Sequence, residues 1–190
     1  MGTMQPIRDL KDIQRLKEYF LIKHQYRNYA LIVMGVNLPL RISDLLSIKW
    51  GDVYDDEVHK YTKHILVQEQ KTGKTNIMFL NKNVIEALEI LRKDVPAGKE
   101  HYIFSSHHNY TRPISRVAAY QVIRQASEHL GIKNVGCHSL RKTFGYHAWK
   151  NGAHPAVIMQ IYNHSSLSVT KRYLGVEQDD VDEVFQMLEL

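Results

Sequence analysis

Two arginines, a lysine, two histidines and a tyrosine stand in this sequence in settings that suit chemistry at a phosphate. Arg41 lies in Leu40-Arg41-Ile42-Ser43-Asp44-Leu45-Leu46, and Lys71 in Gln70-Lys71-Thr72-Gly73-Lys74. His138 and Arg141 share His138-Ser139-Leu140-Arg141, and His164 sits in Asn163-His164-Ser165-Ser166, followed by Arg172-Tyr173. Taken singly, each has a plainer explanation. Arg41 and Asp44 are spaced for a salt bridge three residues apart, Lys-Thr-Gly-Lys is a common solvated turn, and a lone His-x-x-Arg is commonplace. His164 before two serines fits a local cap, and Tyr173 fits an aromatic packing residue. Their joint occurrence changes the reading.

Phosphodiester transfer without a metal ion needs these side chains. Charge builds on the non-bridging oxygens of a pentacoordinate phosphorus, and guanidinium groups meet such oxygens two at a time while staying charged. Arg41 and Arg141 form that candidate clamp. The leaving 5′ oxygen is a poor alkoxide and needs a proton, which a lysine with a pKa lowered by neighbouring arginines supplies; Lys71 suits the task. Imidazoles contact phosphate oxygens or move the nucleophile's proton, which fits His138 and His164. A phenol attacks when its deprotonated form is favoured, and the covalent product keeps the energy of the broken bond for religation. Tyr173 is the candidate nucleophile.

The elements that must position these groups can be read from periodicity. Leu10, Ile13, Leu16 and Phe20 recur at helical spacing behind an Asp9 cap, and a second apolar helix runs from Tyr26 to Val36. Pro39 breaks that pattern, and Arg41 opens a short helical segment, Ile42 to Ile48. Ile65 and Val67, then Ile77 and Phe79, alternate with polar neighbours, which predicts a β-hairpin with Lys71 at or beside its tip. Helices follow over about 82–94, 115–130, 139–150, 155–162, 166–174 and from 179 to the end. His138 and Arg141, at i and i+3, share a face if a helix begins there. The fold class expected is mainly α with a small antiparallel β-sheet (α+β), in one domain over residues 5–190.

The order Arg, Lys, His-x-x-Arg, His, Tyr resembles the tyrosine recombinase (phage integrase) family, over nearly all of residues 5–190. Leu40 to Leu46 is similar to the family's first arginine box, His138-Ser139-Leu140-Arg141-Lys142-Thr143-Phe144 to its second, and Asn163 to Ser166 with Thr170-Lys171-Arg172-Tyr173 to its last. The resemblance implies the catalytic-domain fold of that family and a site-specific DNA recombinase or integrase, whose role is integration or excision of a mobile element or resolution of chromosome dimers. By resemblance, Arg41, Arg141, His138 and His164 engage the scissile phosphate and Lys71 is the general acid. Tyr173 forms a 3′-phosphotyrosyl link, and Asp44 supports the first arginine. Lys74 also lies near the hairpin tip; Lys71 is preferred because it precedes the turn in the family manner. The implied partners are double-stranded DNA and, in a full-length protein, a homotetramer on DNA; no cofactor and no metal is implied.

The chain departs from the family pattern in three places. Asn37-Leu38-Pro39 replaces a common glycine, Tyr162-Asn163 stands for a Leu-Gly, and Lys142 for a histidine. Asn163 can replace the glycine by adopting a left-handed backbone. Family members generally carry an N-terminal helical clamp domain, expected to be absent here, so this chain alone is expected to bind DNA weakly. Residues 1–4 are expected to be a cloning scar. The C-terminal face of Val181, Val184, Phe185 and Leu188 packs on its own domain or on a neighbour's.

Composition narrows the rest. The 190 residues suffice for one core, and a formal charge of +5 favours a polyanionic partner only if it clusters. Cys137 is the only cysteine, so no internal disulfide forms, and with no apolar run near the roughly 20 residues that span a bilayer a cytoplasmic protein is expected. His101, His107 and His108 with Cys137 match no common zinc spacing, and the Lys-Thr-Gly-Lys tetrad has the wrong spacing for a nucleotide-binding loop. Two alternatives remain: a type IB topoisomerase with the same covalent chemistry, and a DNA-binding protein that has the fold without the catalysis.

Overall fold

In a computed structural model, which describes residues 4–106, 109–176 and 178–187, helix α1 (Leu10–Ile22) begins at Asp9, whose carboxylate accepts the Lys11 backbone N–H at 2.8 Å. It buries Ile13, Leu16 and Phe20, while Leu10 at the outer end of the stripe is exposed. Helix α2 (Tyr26–Asn37) is apolar nearly all round in its second half and forms the centre of the core. It ends ahead of Pro39. Arg41 occupies the N-cap position of α3 (Ile42–Leu46), which stops short of Ile48; α4 (Trp50–Val53) follows.

Three two-stranded antiparallel sheets stand where one was expected among the described residues: β1 (Tyr54–Asp55) with β2 (Lys60–Tyr61), β3 (His64–Gln68) with β4 (Thr75–Phe79), and β5 (Ser105–Ser106) with β6 (Asn109–Pro113). The short pairs have too few residues to show a period in sequence. The β3–β4 hairpin pairs Ile65 with Met78 and Val67 with Asn76 on its inner side, so Leu66, Ile77 and Phe79 face outward. The expected alternation of β4 is thus inverted: the register set by the turn puts Asn76 and Met78 inside and leaves Ile77 and Phe79 exposed.

Helix α5 (Lys82–Arg92) is capped by Asn81 and packs Val84, Ala87, Leu88 and Leu91 on α2. Helix α6 (Arg116–His129) is capped by Ser115 and followed by Gly131 at φ +72°. Helix α7 (Cys137–Lys150) starts two residues earlier than its periodicity indicates, because the Ser139 hydroxyl accepts the Gly136 N–H at 3.1 Å from inside the first turn. Helices α8 (Pro155–Ile161), α9 (Leu167–Leu174) and α10 (Gln178–Met187) complete the described chain.

Helix α7 lies between two hydrophobic clusters. Leu140 belongs to the main core, whereas Phe144, Ala148 and Trp149 pack with Ile158, Tyr162 and Leu174 in a smaller one. Glycines permit both approaches: a Cβ on Gly35 of α2 would come within 2.6 Å of Leu140 Cδ1, and one on Gly145 within 2.6 Å of the Tyr162 hydroxyl. Helix α10 is held by polar contacts, Lys150 Nζ to Asp180 Oδ1 at 3.0 Å and Arg8 Nη1 to Asp180 Oδ2 at 3.6 Å. Val181, Val184 and Phe185 are exposed in this chain, and Leu188 lies outside the described residues. Among the described residues no helix is long and apolar enough to cross a membrane.

Candidate active site

Arg141 is the most buried ionisable group of the second motif, 1% exposed on the inner side of α7. Its Nη1 donates to the Pro39 carbonyl at 2.6 Å and its Nη2 to the Tyr162 carbonyl at 3.2 Å, while Nε has no hydrogen-bond partner. No carboxylate among the described residues forms an ion pair with it. Burial, and after it the field of Arg41, lowers its pKa. A buried cation held by carbonyls alone is costly unless an anion joins it. Pro39, which reads in sequence as a helix breaker, thus supplies an anchor for the arginine 102 residues away.

Two aromatic rings line the space beside that guanidinium. Tyr162 is fully buried, its ring centroid 4.8 Å from Arg141 Cζ, and Tyr173 lies 5.9 Å from it. His164 stacks on Tyr162 at 5.0 Å and meets the Tyr173 ring edge to face at 4.6 Å. Its Nδ1 is 3.1 Å from the Thr170 hydroxyl of α9. Asn163 has φ +55°, the left-handed conformation that lets the chain turn from α8 toward the His164 position.

The imidazoles feel both arginines. Burial, then Arg141 and Arg41, push the His164 pKa down to about 4, so the ring is neutral at pH 7. Desolvation, then Arg141, Lys142, Arg41 and Lys71, lower that of His138, which sits in the first turn of α7 facing solvent. All six sequence-selected groups enter these electrostatic effects, Tyr173 through its opposing action on Arg141, beside which its ring also packs. The exposed Lys71 enters through its charge on His138.

Arg41 is held differently. Its Nη1 lies 2.6 Å from Glu69 Oε2 and 3.9 Å from Asp44 Oδ2, so the nearer carboxylate is the one 28 positions on and not the neighbour that the Arg-x-x-Asp spacing favours. Glu69 is fully buried and also accepts Thr72 Oγ1 at 2.6 Å and Asn76 Nδ2 at 2.9 Å. Burial alone would raise its pKa, but Thr72, Arg41 and Asn76 together bring it down to about 2. Asp44, likewise buried, accepts the Gln70 backbone N–H at 3.1 Å and ties the hairpin to α3.

Glu69, Tyr162, Asn76 and Thr170 carry the site's supporting contacts; Thr170 falls in the last motif and Tyr162 at a departure from it, neither with a role read from sequence, and Glu69 and Asn76 lie outside the motifs. One signal pointed to Glu69: it continues the inward period of Ile65 and Val67. His101 is engaged elsewhere, its Nδ1 3.1 Å from the Pro96 carbonyl and its ring stacked on Tyr110. His107 and His108 lie outside the described residues. Met4 contacts α7 through its carbonyl, which accepts Lys142 Nζ at 2.8 Å.

Residues 9–179 match the model of the phage integrase family. The chain is 37% identical over 179 residues to a probable integrase/recombinase, YoeC, of Bacillus subtilis, covering 94% of this chain and 93% of that protein. It is 28% identical over 166 residues to the tyrosine recombinase XerD of Corynebacterium glutamicum, covering 84% of this chain but only 52% of that enzyme. The fold matches the crystal structure of XerA recombinase with a TM-score of 0.78 at 23% identity, over all of this chain and 67% of that one. It also matches XerH site-specific recombinase in a post-cleavage complex with its palindromic difH substrate, with a TM-score of 0.77 at 17% identity, over 100% of this chain and 55% of that one.

Proposed function

The chain belongs to the phage integrase family as a tyrosine recombinase catalytic domain, a DNA breaking and rejoining enzyme, and from that premise we propose which of its groups do the work. Residues 5–190 act as the catalytic unit on double-stranded DNA inside the cell, and the full-length protein works as a homotetramer on that DNA. Arg41 and Arg141 grip the non-bridging oxygens of the scissile phosphate, with His138 and His164 beside them. The Tyr173 oxygen attacks phosphorus as its proton passes to the neutral His164 imidazole beside it, directly or through water. The bond to the 5′ oxygen breaks, and Lys71 protonates that oxygen. The 3′-phosphotyrosyl link then accepts a 5′ hydroxyl in the reverse sense, which reseals the strand.

The observation that carries this reading is the buried Arg141 guanidinium, which has an unpartnered Nε, no carboxylate partner among the described residues and Tyr173 at 5.9 Å. A phosphate diester is the anion that such a cradle beside a phenol suits. The named relatives are integrases and recombinases, which favours this reading over a topoisomerase.

A pool of nicked duplexes of randomised sequence, incubated with the protein in EDTA and resolved under denaturing conditions, tests it. The parent chain should yield a covalent protein–DNA adduct, and Tyr173→Phe should yield none while still retaining duplex under native conditions. Equal recovery from both proteins after denaturation would remove Tyr173 as the nucleophile.

A further inference from the structure

One oxygen, Glu69 Oε2, lies 2.6 Å from both Arg41 Nη1 and Thr72 Oγ1. From this we infer that Glu69 is a positioning residue, whose buried carboxylate binds the Lys71 turn to the first arginine so that the proton donor and the phosphate clamp are assembled as one unit. The inference deepens the proposed function and rests on the general-acid reading of Lys71.

The backbone of Glu69 serves the same turn from both sides. Its N–H donates to the Lys74 carbonyl at 2.8 Å and its carbonyl accepts the Gly73 N–H at 2.8 Å, with Gly73 at φ +69°. Residues 70–73 are therefore spanned by Glu69 through the main chain and pinned internally by its side chain at Thr72. Lys71 itself is exposed, so its placement depends on the turn that carries it. The other carboxylate oxygen accepts Asn76 Nδ2 at 2.9 Å, and the Asn76 side-chain oxygen accepts Asn163 Nδ2, next to His164. A single buried anion thus connects the elements bearing Arg41, Lys71 and His164. Salt-bridge formation alone requires none of the hydroxyl and amide contacts, and a solvated hairpin requires no fully buried glutamate at its base.

The test compares adduct formation on a nicked duplex that the parent cleaves with the same duplex carrying sulfur in place of the bridging 5′ oxygen. A thiolate leaves without a proton, since a thiol pKa is near 8.5, so the sulfur substrate bypasses the general acid. Glu69→Gln should slow cleavage of ordinary DNA by about a hundredfold, and Thr72→Val, at an exposed position, by about tenfold. Sulfur should restore at least tenfold of the first loss and nearly all of the second, with duplex retention unchanged. Restoration in either variant sustains the inference, and Thr72→Val keeps the test open if the buried Glu69→Gln fails to fold. Restoration in neither, or parental rates in both, overturns it. Lys71→Ala is run alongside: if sulfur does not rescue that variant, the general-acid reading itself falls, whatever Glu69 does.

Discussion

Tyr162 and Arg141 hold each other reciprocally: the Tyr162 hydroxyl donates to the Arg141 carbonyl at 2.5 Å, and Arg141 Nη2 donates to the Tyr162 carbonyl at 3.2 Å. The two contacts fix α7 against the end of α8, and the same ring carries His164 on its face. Removing the hydroxyl leaves the backbone anchor of the guanidinium in place. Tyr162→Phe should therefore lower stability by about 1 kcal/mol while reducing cleavage by less than about tenfold. A urea midpoint identical to the parent's would show that the hydroxyl bond contributes nothing.

Arg141→Lys keeps the positive charge but not the planar fork that reaches two carbonyls and still presents an edge. Cleavage in single-turnover adduct assays should fall by about a hundredfold or more, the scale seen when one oxyanion donor is removed. A variant cutting within threefold of the parent would take Arg141 out of the clamp.

Gly145 faces the Tyr162 ring so closely that a Cβ would lie 2.6 Å from the hydroxyl oxygen and 2.9 Å from Cε2. The better helix propensity of alanine offsets only part of that clash, roughly 1 kcal/mol. Gly145→Ala should destabilise the fold by about 1–2 kcal/mol net and displace Tyr162 from the Arg141 carbonyl. Denaturant unfolding reads the first effect, and an unchanged or raised midpoint would contradict the contact.

His164 titrates well below an ordinary histidine, at about 4 instead of 6.5, because burial comes first and the two arginines add to it. The unfolded chain therefore binds this proton more readily than the folded one. Stability is at its full value above pH 6.5 and declines as pH falls through that window toward 4. His164→Gln should lose less stability than the parent between pH 7 and pH 5, with His138, shifted in the same direction, present in both proteins. Parallel losses in the two would place the His164 titration at its ordinary value. Phosphate or a duplex bound at the site should shrink the parent's loss, since an anion favours the charged imidazole.

Local chemistry determines much of this protein. Apolar periodicity places the helices because burying one stripe is the common solution at each position, and the Asp9 cap marks the start of the first. The six chemically suited residues and their order are also legible, since guanidinium, imidazole, amine and phenol are properties of residue type. What tertiary structure decided is which long-range partner each group meets. The sequence spacing favours Asp44 for Arg41, yet Glu69 is nearer, because the hairpin folds its base onto α3. The inward face of β4 depends on register, which the turn sets and the apolar pattern of Ile77 and Phe79 contradicts. Carbonyl anchors such as those of Pro39 and Tyr162 leave no trace in side-chain identity, because every residue has a carbonyl and only the packing of α7 between its two clusters selects these two.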